Sequence, residues 1–172
     1  MSTETAELFF GLLTLSADVA VVVLLVARLV GARWFLEPVA DVALPFACAV
    51  ALTCMLGSLY FSEVADFVPC TLCWYQRIAM YPLAVMLLIA TLRRDRDVRW
   101  YVVPVAVIGA CVSLYHYVVE WVPEAETGIC KTTVPCTFVW FRRFGFVSLP
   151  FMALSGFLLV ISLVTLRPQE EG

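Results

Sequence analysis

The stretch Pro69-Cys70-Thr71-Leu72-Cys73-Trp74-Tyr75-Gln76-Arg77 sets a Cys-x-x-Cys pair against the start of an apolar run that continues to about Leu92. Two cysteines at this spacing can close a small disulfide ring, share a metal or exchange electrons with other thiols. Pro69 precedes the pair and the apolar run follows at once, so Cys73 is expected near a helix N-terminus. Free N–H groups and the helix dipole stabilise a thiolate there. Arg77 lies four residues on, one turn along the same face, and adds a fixed positive charge. Together these residues describe an activated thiolate at the start of a helix that composition places in a membrane.

The chain has 172 residues, of which 63% are hydrophobic and only 15% charged. Its mean hydropathy is +0.95. A soluble domain carries roughly 25% charged residues, and a chain this short and apolar cannot hide its hydrophobic residues in a water-soluble core. A net charge of -3 and a pI near 5.1 argue against a nucleic-acid partner, which needs a basic face. With one histidine, a His-rich metal site is excluded.

Apolar runs of about 20 residues cross a bilayer. The first, from about Leu8 to Val30, follows a polar and acidic start without Lys or Arg. That is the wrong pattern for a secretory signal peptide, and a retained transmembrane helix is expected. Asp18 near its middle is costly at that depth and flags either a functional group or a contact with a neighbouring helix. A second run spans about Val39 to Phe61 after a link through Pro38. The third starts at Trp74, with Pro82 as an expected kink. The fourth runs from Trp100 to about Trp121 and the fifth from about Phe146 to Leu166. Residues 122–146 form the one long connection. Its segment from Phe138 to Phe146 mixes aromatics with Arg142 and Arg143, a composition suited to a short helix in the headgroup region.

Five spans put alternate loops on opposite sides. Arg28, Arg33, Arg93, Arg94, Arg96, Arg99 and Arg167 collect on one side, and Lys131, Arg142 and Arg143 on the other. Basic residues favour cytoplasmic loops. The N-terminus and both polar loops bearing cysteines are therefore expected outside the cytoplasm, where disulfides persist. Of seven cysteines, Cys48, Cys54 and Cys111 sit within apolar runs and read as small buried hydrophobes. Cys70, Cys73, Cys130 and Cys136 sit at run ends or in the polar stretches, and read as two redox pairs. Cys130 and Cys136 bracket five residues, with Gly128 and Pro135 supplying turn chemistry. A disulfide in such a loop is open to attack by another protein's thiolate. His116 sits near the outer end of the fourth run at the depth of Arg77, and is expected to line the same pocket. Two other uses of four cysteines stay open: two structural disulfides, or a zinc site, which oxidation outside the cytoplasm disfavours.

These residues carry a resemblance. Met55-Leu56-Gly57-Ser58-Leu59-Tyr60-Phe61-Ser62-Glu63, the Cys70–Arg77 stretch, Met80-Tyr81-Pro82-Leu83, Ile108-Gly109-Ala110, Ser113, His116-Tyr117, the Cys130…Val134-Pro135-Cys136 ring, Phe144-Gly145-Phe146 and Pro150-Phe151 resemble the disulfide bond formation protein B family. The likeness is closest to its Gram-positive-type disulfide bond formation protein C branch, and covers roughly residues 45 to 166. Vitamin K epoxide reductases share a Cys-x-x-Cys and a loop pair, but in the reverse order.

The resemblance implies an all-α membrane protein: a four-helix transmembrane bundle over 41–167, here with one extra N-terminal transmembrane helix and link over 1–40 and a cytoplasmic tail over 168–172. It implies a multi-pass enzyme of the cell membrane that reoxidises an extracytoplasmic thioredoxin-fold dithiol oxidase. The electrons would pass to a membrane quinone, ubiquinone or menaquinone. By position, Cys130 would be attacked by the partner's thiolate, with Cys136 its ring mate. Cys70 would exchange with the loop pair, and Cys73 would contact the quinone. Redox disulfides Cys70–Cys73 and Cys130–Cys136 would result, with no metal. Arg77 would face a quinone oxygen, with Gln76 and His116 as further quinone contacts. The N-terminal helix and Asp18 have no counterpart in the family. The alternative from another class is a non-catalytic, disulfide-stapled membrane scaffold or chaperone.

Overall fold

The computed structural model describes residues 3–130 and 134–166, and within them the chain is all-helical apart from one isolated bridge. The elements are α1 (Thr3–Leu29), α2 (Arg33–Glu63), α3 (Thr71–Arg93), α4 (Arg99–Trp121), a 3-10 turn at Pro123–Ala125, and α5 (Leu149–Val164). Lys131, Arg167 and the tail 168–172 lie outside the described residues. The first four helices are long and apolar enough to cross a membrane, and α5 is a shorter apolar helix of 16 residues. Apolar side chains such as Val22, Leu56, Ile78, Leu92 and Ile108 stand exposed around the bundle. An apolar outer surface of this extent fits lipid as its solvent. The chain is a multi-pass membrane protein.

Small residues let the helices approach, as they do where packing rather than the hydrophobic effect drives association. α5 packs against α4, α2 and α1, while α3 packs against α2 and α4. Gly109 of α4 receives the fully buried ring of Phe157 from α5, and Gly156 receives the sulfur of Cys54. Leu83, Leu87, Val102 and Val160 fill the centre beside Ala47, Ala51, Ala84 and Ala106. Pro38, Pro45, Pro82 and Pro104 all lie inside continuous helices. Pro38, read as part of a link, sits only five residues into α2. So near a helix start, few backbone bonds are at stake.

Side-chain contacts show which ends lie together. Arg28 at the end of α1 donates to the Ser162 carbonyl at 2.6 Å and to Thr165 Oγ1 at 2.9 Å, near the end of α5. Arg96 donates to the Ala40 carbonyl at 3.3 Å. At the opposite end, Arg143 forms an ion pair with Glu7 at 3.0 Å. The start of α1, the α2–α3 link and the long α4–α5 connection therefore share one end of the bundle, with all four selected cysteines.

The helix expected over 138–146 is absent. Phe144 and Gly145 both have positive φ, 54° and 83°, and the Arg143 and Val147 backbones exchange two 2.9 Å hydrogen bonds around them. Two left-handed residues in succession make a tight turn and break a helix. The aromatics instead pack on the bundle. Phe67 stacks on Trp140 at 4.6 Å and on Phe61 at 5.6 Å. Of the three cysteines read as buried hydrophobes, Cys48 is buried and Cys54 half-buried, but Cys111 is exposed on the outer face of α4. In a membrane helix the lipid-facing side is as apolar as the core, so an apolar neighbourhood does not fix burial.

Candidate active site: two cysteine pairs bridged by a histidine

Cys70 is the N-cap of α3. Its extended backbone (φ -74°, ψ 176°) lets its sulfur accept the N–H of Cys73 at 3.3 Å. The Cys73 sulfur lies 2.9 Å from it, within hydrogen-bonding reach, and both cysteines are thiols. The favoured thiolate at this helix start is therefore that of Cys70, not Cys73 as read from the spacing. An N-cap sulfur receives the free N–H of the first turn, whereas a residue three positions on supplies it. The hydrogen bond from the Cys73 thiol, aided by His116 and the Cys73 N–H, holds Cys70 well below the usual thiol range, outweighing the opposing effect of burial.

His116 of α4 is buried, 2% exposed. Its Nε2 lies 3.6 Å from Cys70 Sγ and 3.2 Å from the carbonyl oxygen of Cys136, and its Nδ1 lies 3.1 Å from Gln76 Nε2. A carbonyl oxygen only accepts, so Nε2 carries the proton and Nδ1 accepts from the Gln76 amide. One imidazole edge thus faces both cysteine pairs. Cys70, Leu72, Val119 and Cys136 share a small apolar cluster, with Cys130 and Val134 at its margin.

Cys130 and Cys136 form a disulfide. Cys136 is 1% exposed, whereas Cys130 is half-buried and is the sulfur more open to a partner. The segment before it is tied down: Tyr115 donates to the Ala125 carbonyl at 3.1 Å, and Glu126 accepts the Cys130 N–H at 3.1 Å. Cys70 Sγ, Cys73 Sγ and a His116 nitrogen lie within 4.8 Å of one another. Among the described residues this is the donor set a soft cation would find.

Beyond Cys73 opens a cavity of about 420 Å³ with a mainly apolar lining. Cys73, Gln76 and Arg77 lie at its head, under a roof that includes Phe67, Pro69 and Trp140. Arg77 donates to the Ser58 carbonyl at 3.0 Å and lies 5.3 Å from the Trp74 ring centre. These contacts fix a positive charge at the head of an apolar space. The arrangement suits an apolar molecule that carries an electronegative group at the Arg77 end. His116, expected in the pocket of Arg77, does not line this cavity. It stands behind Cys70, in contact with the loop, and Gln76 connects the two places. Cys70 likewise stays out of the cavity that Cys73 enters.

Two neighbours escaped the sequence reading. Glu120 lines the small pocket beside Cys70, Cys73 and His116, and accepts a 2.5 Å hydrogen bond from Ser148. It is the one acidic residue in the fourth apolar run, a signal of the kind that marked Asp18. Ser58, which anchors Arg77 through its backbone, leaves no signal in the residue type.

A disulfide and a dithiol, bridged by one histidine at one end of a membrane helical bundle, define a membrane disulfide oxidoreductase. The chain belongs to the DsbB family: the model of that family, Disulfide bond formation protein DsbB, matches residues 40–166. The chain is 50% identical over 125 residues to Disulfide bond formation protein C of Bacillus subtilis (strain 168), covering 72% of this chain and 90% of the relative. It is 47% identical over 121 residues to Probable disulfide formation protein C 1 of Bacillus anthracis, covering 70% and 87%. A probable disulfide formation protein of Oceanobacillus iheyensis is 41% identical over 124 residues, covering 71% and 86%. No solved structure matches the chain.

Proposed function

We propose that the protein reoxidises a thioredoxin-fold dithiol oxidase outside the cytoplasm and delivers the electrons to a membrane quinone. The observation that carries this reading is that Cys73 borders both places: it lies beside Cys70, His116 and the loop pair, and it alone of the two cysteines also lines the apolar cavity with Arg77.

The partner's thiolate attacks the more accessible Cys130, breaking Cys130–Cys136, and the partner leaves with its own disulfide. The resulting loop dithiol reduces a Cys70–Cys73 disulfide by exchange at Cys70, which restores Cys130–Cys136. A quinone, when bound, supplies an acceptor for two electrons and two protons.

Cys73 presents its thiol to the cavity. Arg77, held by Ser58, offers a cation where negative charge develops on an acceptor oxygen. Cys70, stabilised as thiolate and 2.9 Å from Cys73 Sγ, is set to close the Cys70–Cys73 disulfide as the electrons leave. Of the two protons taken up with the two electrons, one comes from the Cys73 thiol and the other, which Cys70 released on ionising, from water.

The sidedness rests on charge. Arg28, Arg33, Arg93, Arg94, Arg96 and Arg99 lie at the end opposite the cysteines, which supports a cytoplasmic position for that end and an extracytoplasmic one for the redox loops. The test is a thiol assay with Cys130→Ser. The variant should no longer oxidise a reduced thioredoxin-fold oxidase. Oxidation at the unaltered rate would remove the loop pair from the scheme.

A further inference from the structure

The helix that lies outside the family match forms part of the cavity wall. α1 contributes Phe10, Leu13, Thr14, Ser16, Ala17 and Ala20 to the lining, facing α2, α3 and α5. These positions run along about 15 Å of helix at about 1.5 Å per residue, from beneath the aromatic roof toward the middle of the bundle.

α1 is fastened along its length. Glu7 pairs with Arg143 at 3.0 Å near the top, and Arg28 holds Ser162 and Thr165 at the bottom. Asp18 lies near Ser155 of α5 between them. Near the head of the cavity, Phe10 sits where a Cβ at Gly57 of α2 would come within 2.7 Å of its ring, so α1 and α2 meet there without a gap. The match to the Bacillus subtilis relative covers 90% of that protein, which leaves too little of it to correspond to the 27-residue α1. The wall is thus an addition in this chain.

We infer that α1 is a specificity element of the acceptor site: it lines the channel taken by the isoprenoid tail of the quinone, with Ala17 and Ala20 leaving the room the tail needs. The inference rests on the quinone reading above. The polar head of the cavity, at Cys73 and Arg77, is formed by α3 and lies apart from these alanines. Narrowing the channel at α1 therefore acts on the tail and spares the ring.

The experiment uses the full chain in lipid vesicles. A quinone with a photoreactive diazirine on its tail is crosslinked to wild-type protein, and the labelled peptide is identified by mass spectrometry. The label is expected within residues 10–20. In parallel, Ala17→Phe and Ala20→Phe are compared with wild type using a tailed quinone and the same ring without a tail. The KM for the tailed quinone should rise about tenfold or more, and that for the tail-less ring by less than about twofold, as expected when a ring is forced into a filled channel.

Exchange of the Cys130–Cys136 disulfide with a reduced dithiol, which needs no quinone, reports whether each variant is folded. A label confined to peptides of α2, α3 or α5, or equal loss with both quinones, overturns the role of α1 while leaving quinone reduction intact. If neither quinone oxidises the wild-type Cys70/Cys73 dithiol, the quinone reading itself fails, and the inference falls with it.

Discussion

The imidazole Nε2 of His116 stands 3.6 Å from the sulfur of Cys70. The same nitrogen reaches the carbonyl of Cys136 at 3.2 Å, while Gln76 fixes the far side of the ring. An N–H held in this position favours the Cys70 thiolate.

Removing that donor should raise the pKa of Cys70. A hydrogen bond to a charged group contributes about 1.5–3 kcal/mol, which is roughly 1–2 pKa units. In His116→Ala the pH midpoint for alkylation of the reduced pair should move up by about that amount, measured with a fast thiol reagent across pH 4–9. The dithiol state loses the same stabilisation, so the Cys70–Cys73 potential should fall by about 30–60 mV. Since the folded pKa lies below the unfolded one, Cys70 stabilises the reduced fold fully above the ordinary thiol pKa of about 8.5. That contribution declines as pH falls and is gone below the lowered value. A midpoint and potential unchanged in His116→Ala would show that the contact does not set the thiolate.

Gly109 has no room for a side chain, because a Cβ there would overlap the buried ring of Phe157. Gly109→Ala should destabilise the bundle by about 1–3 kcal/mol, the range for overpacking a filled core. The check is the unfolding midpoint in detergent, which should drop while Ala110→Gly, one residue away, lacks the overlap. Equal stability of Gly109→Ala and wild type would mean that α4 and α5 shift apart at little cost.

The Glu7–Arg143 pair joins α1 to the turn around Phe144, with the Glu7 side chain 12% exposed. Arg143→Gln should loosen that end of α1 by an amount near the upper range for partly exposed pairs, about 1 kcal/mol, or roughly fivefold in local opening. Hydrogen exchange at residues 5–12 should quicken by that factor, with α3 unaffected. Unchanged exchange would show that the ion pair does not anchor that end of α1.

The helices and the two cysteine pairs were legible in the sequence because apolar run length and cysteine spacing are local properties. Other features depend on relations that a run of residue types does not encode. Cys111 and Cys48 have similar apolar neighbours, yet one meets lipid and the other the core. Whether Cys70 or Cys73 is the stabilised thiolate turns on which one caps α3, a matter of three residues in where the helix starts. His116 was read to the depth of Arg77, but depth along a helix says nothing about azimuth, and its ring points to the loop pair. The turn at Phe144 and Gly145 was hidden because Phe has little intrinsic preference for positive φ.

The relay is tested most directly by following quinone absorbance during a single anaerobic turnover. Oxidised protein in lipid vesicles is mixed with quinone and a reduced thioredoxin-fold oxidase, comparing wild type with Cys73→Ser. The account predicts one hydroquinone per partner disulfide in wild type. In Cys73→Ser it predicts no hydroquinone, although Cys130–Cys136 still exchanges with the partner. Hydroquinone formed by Cys73→Ser at the wild-type rate would contradict the assignment of Cys73 as the cysteine that meets the acceptor.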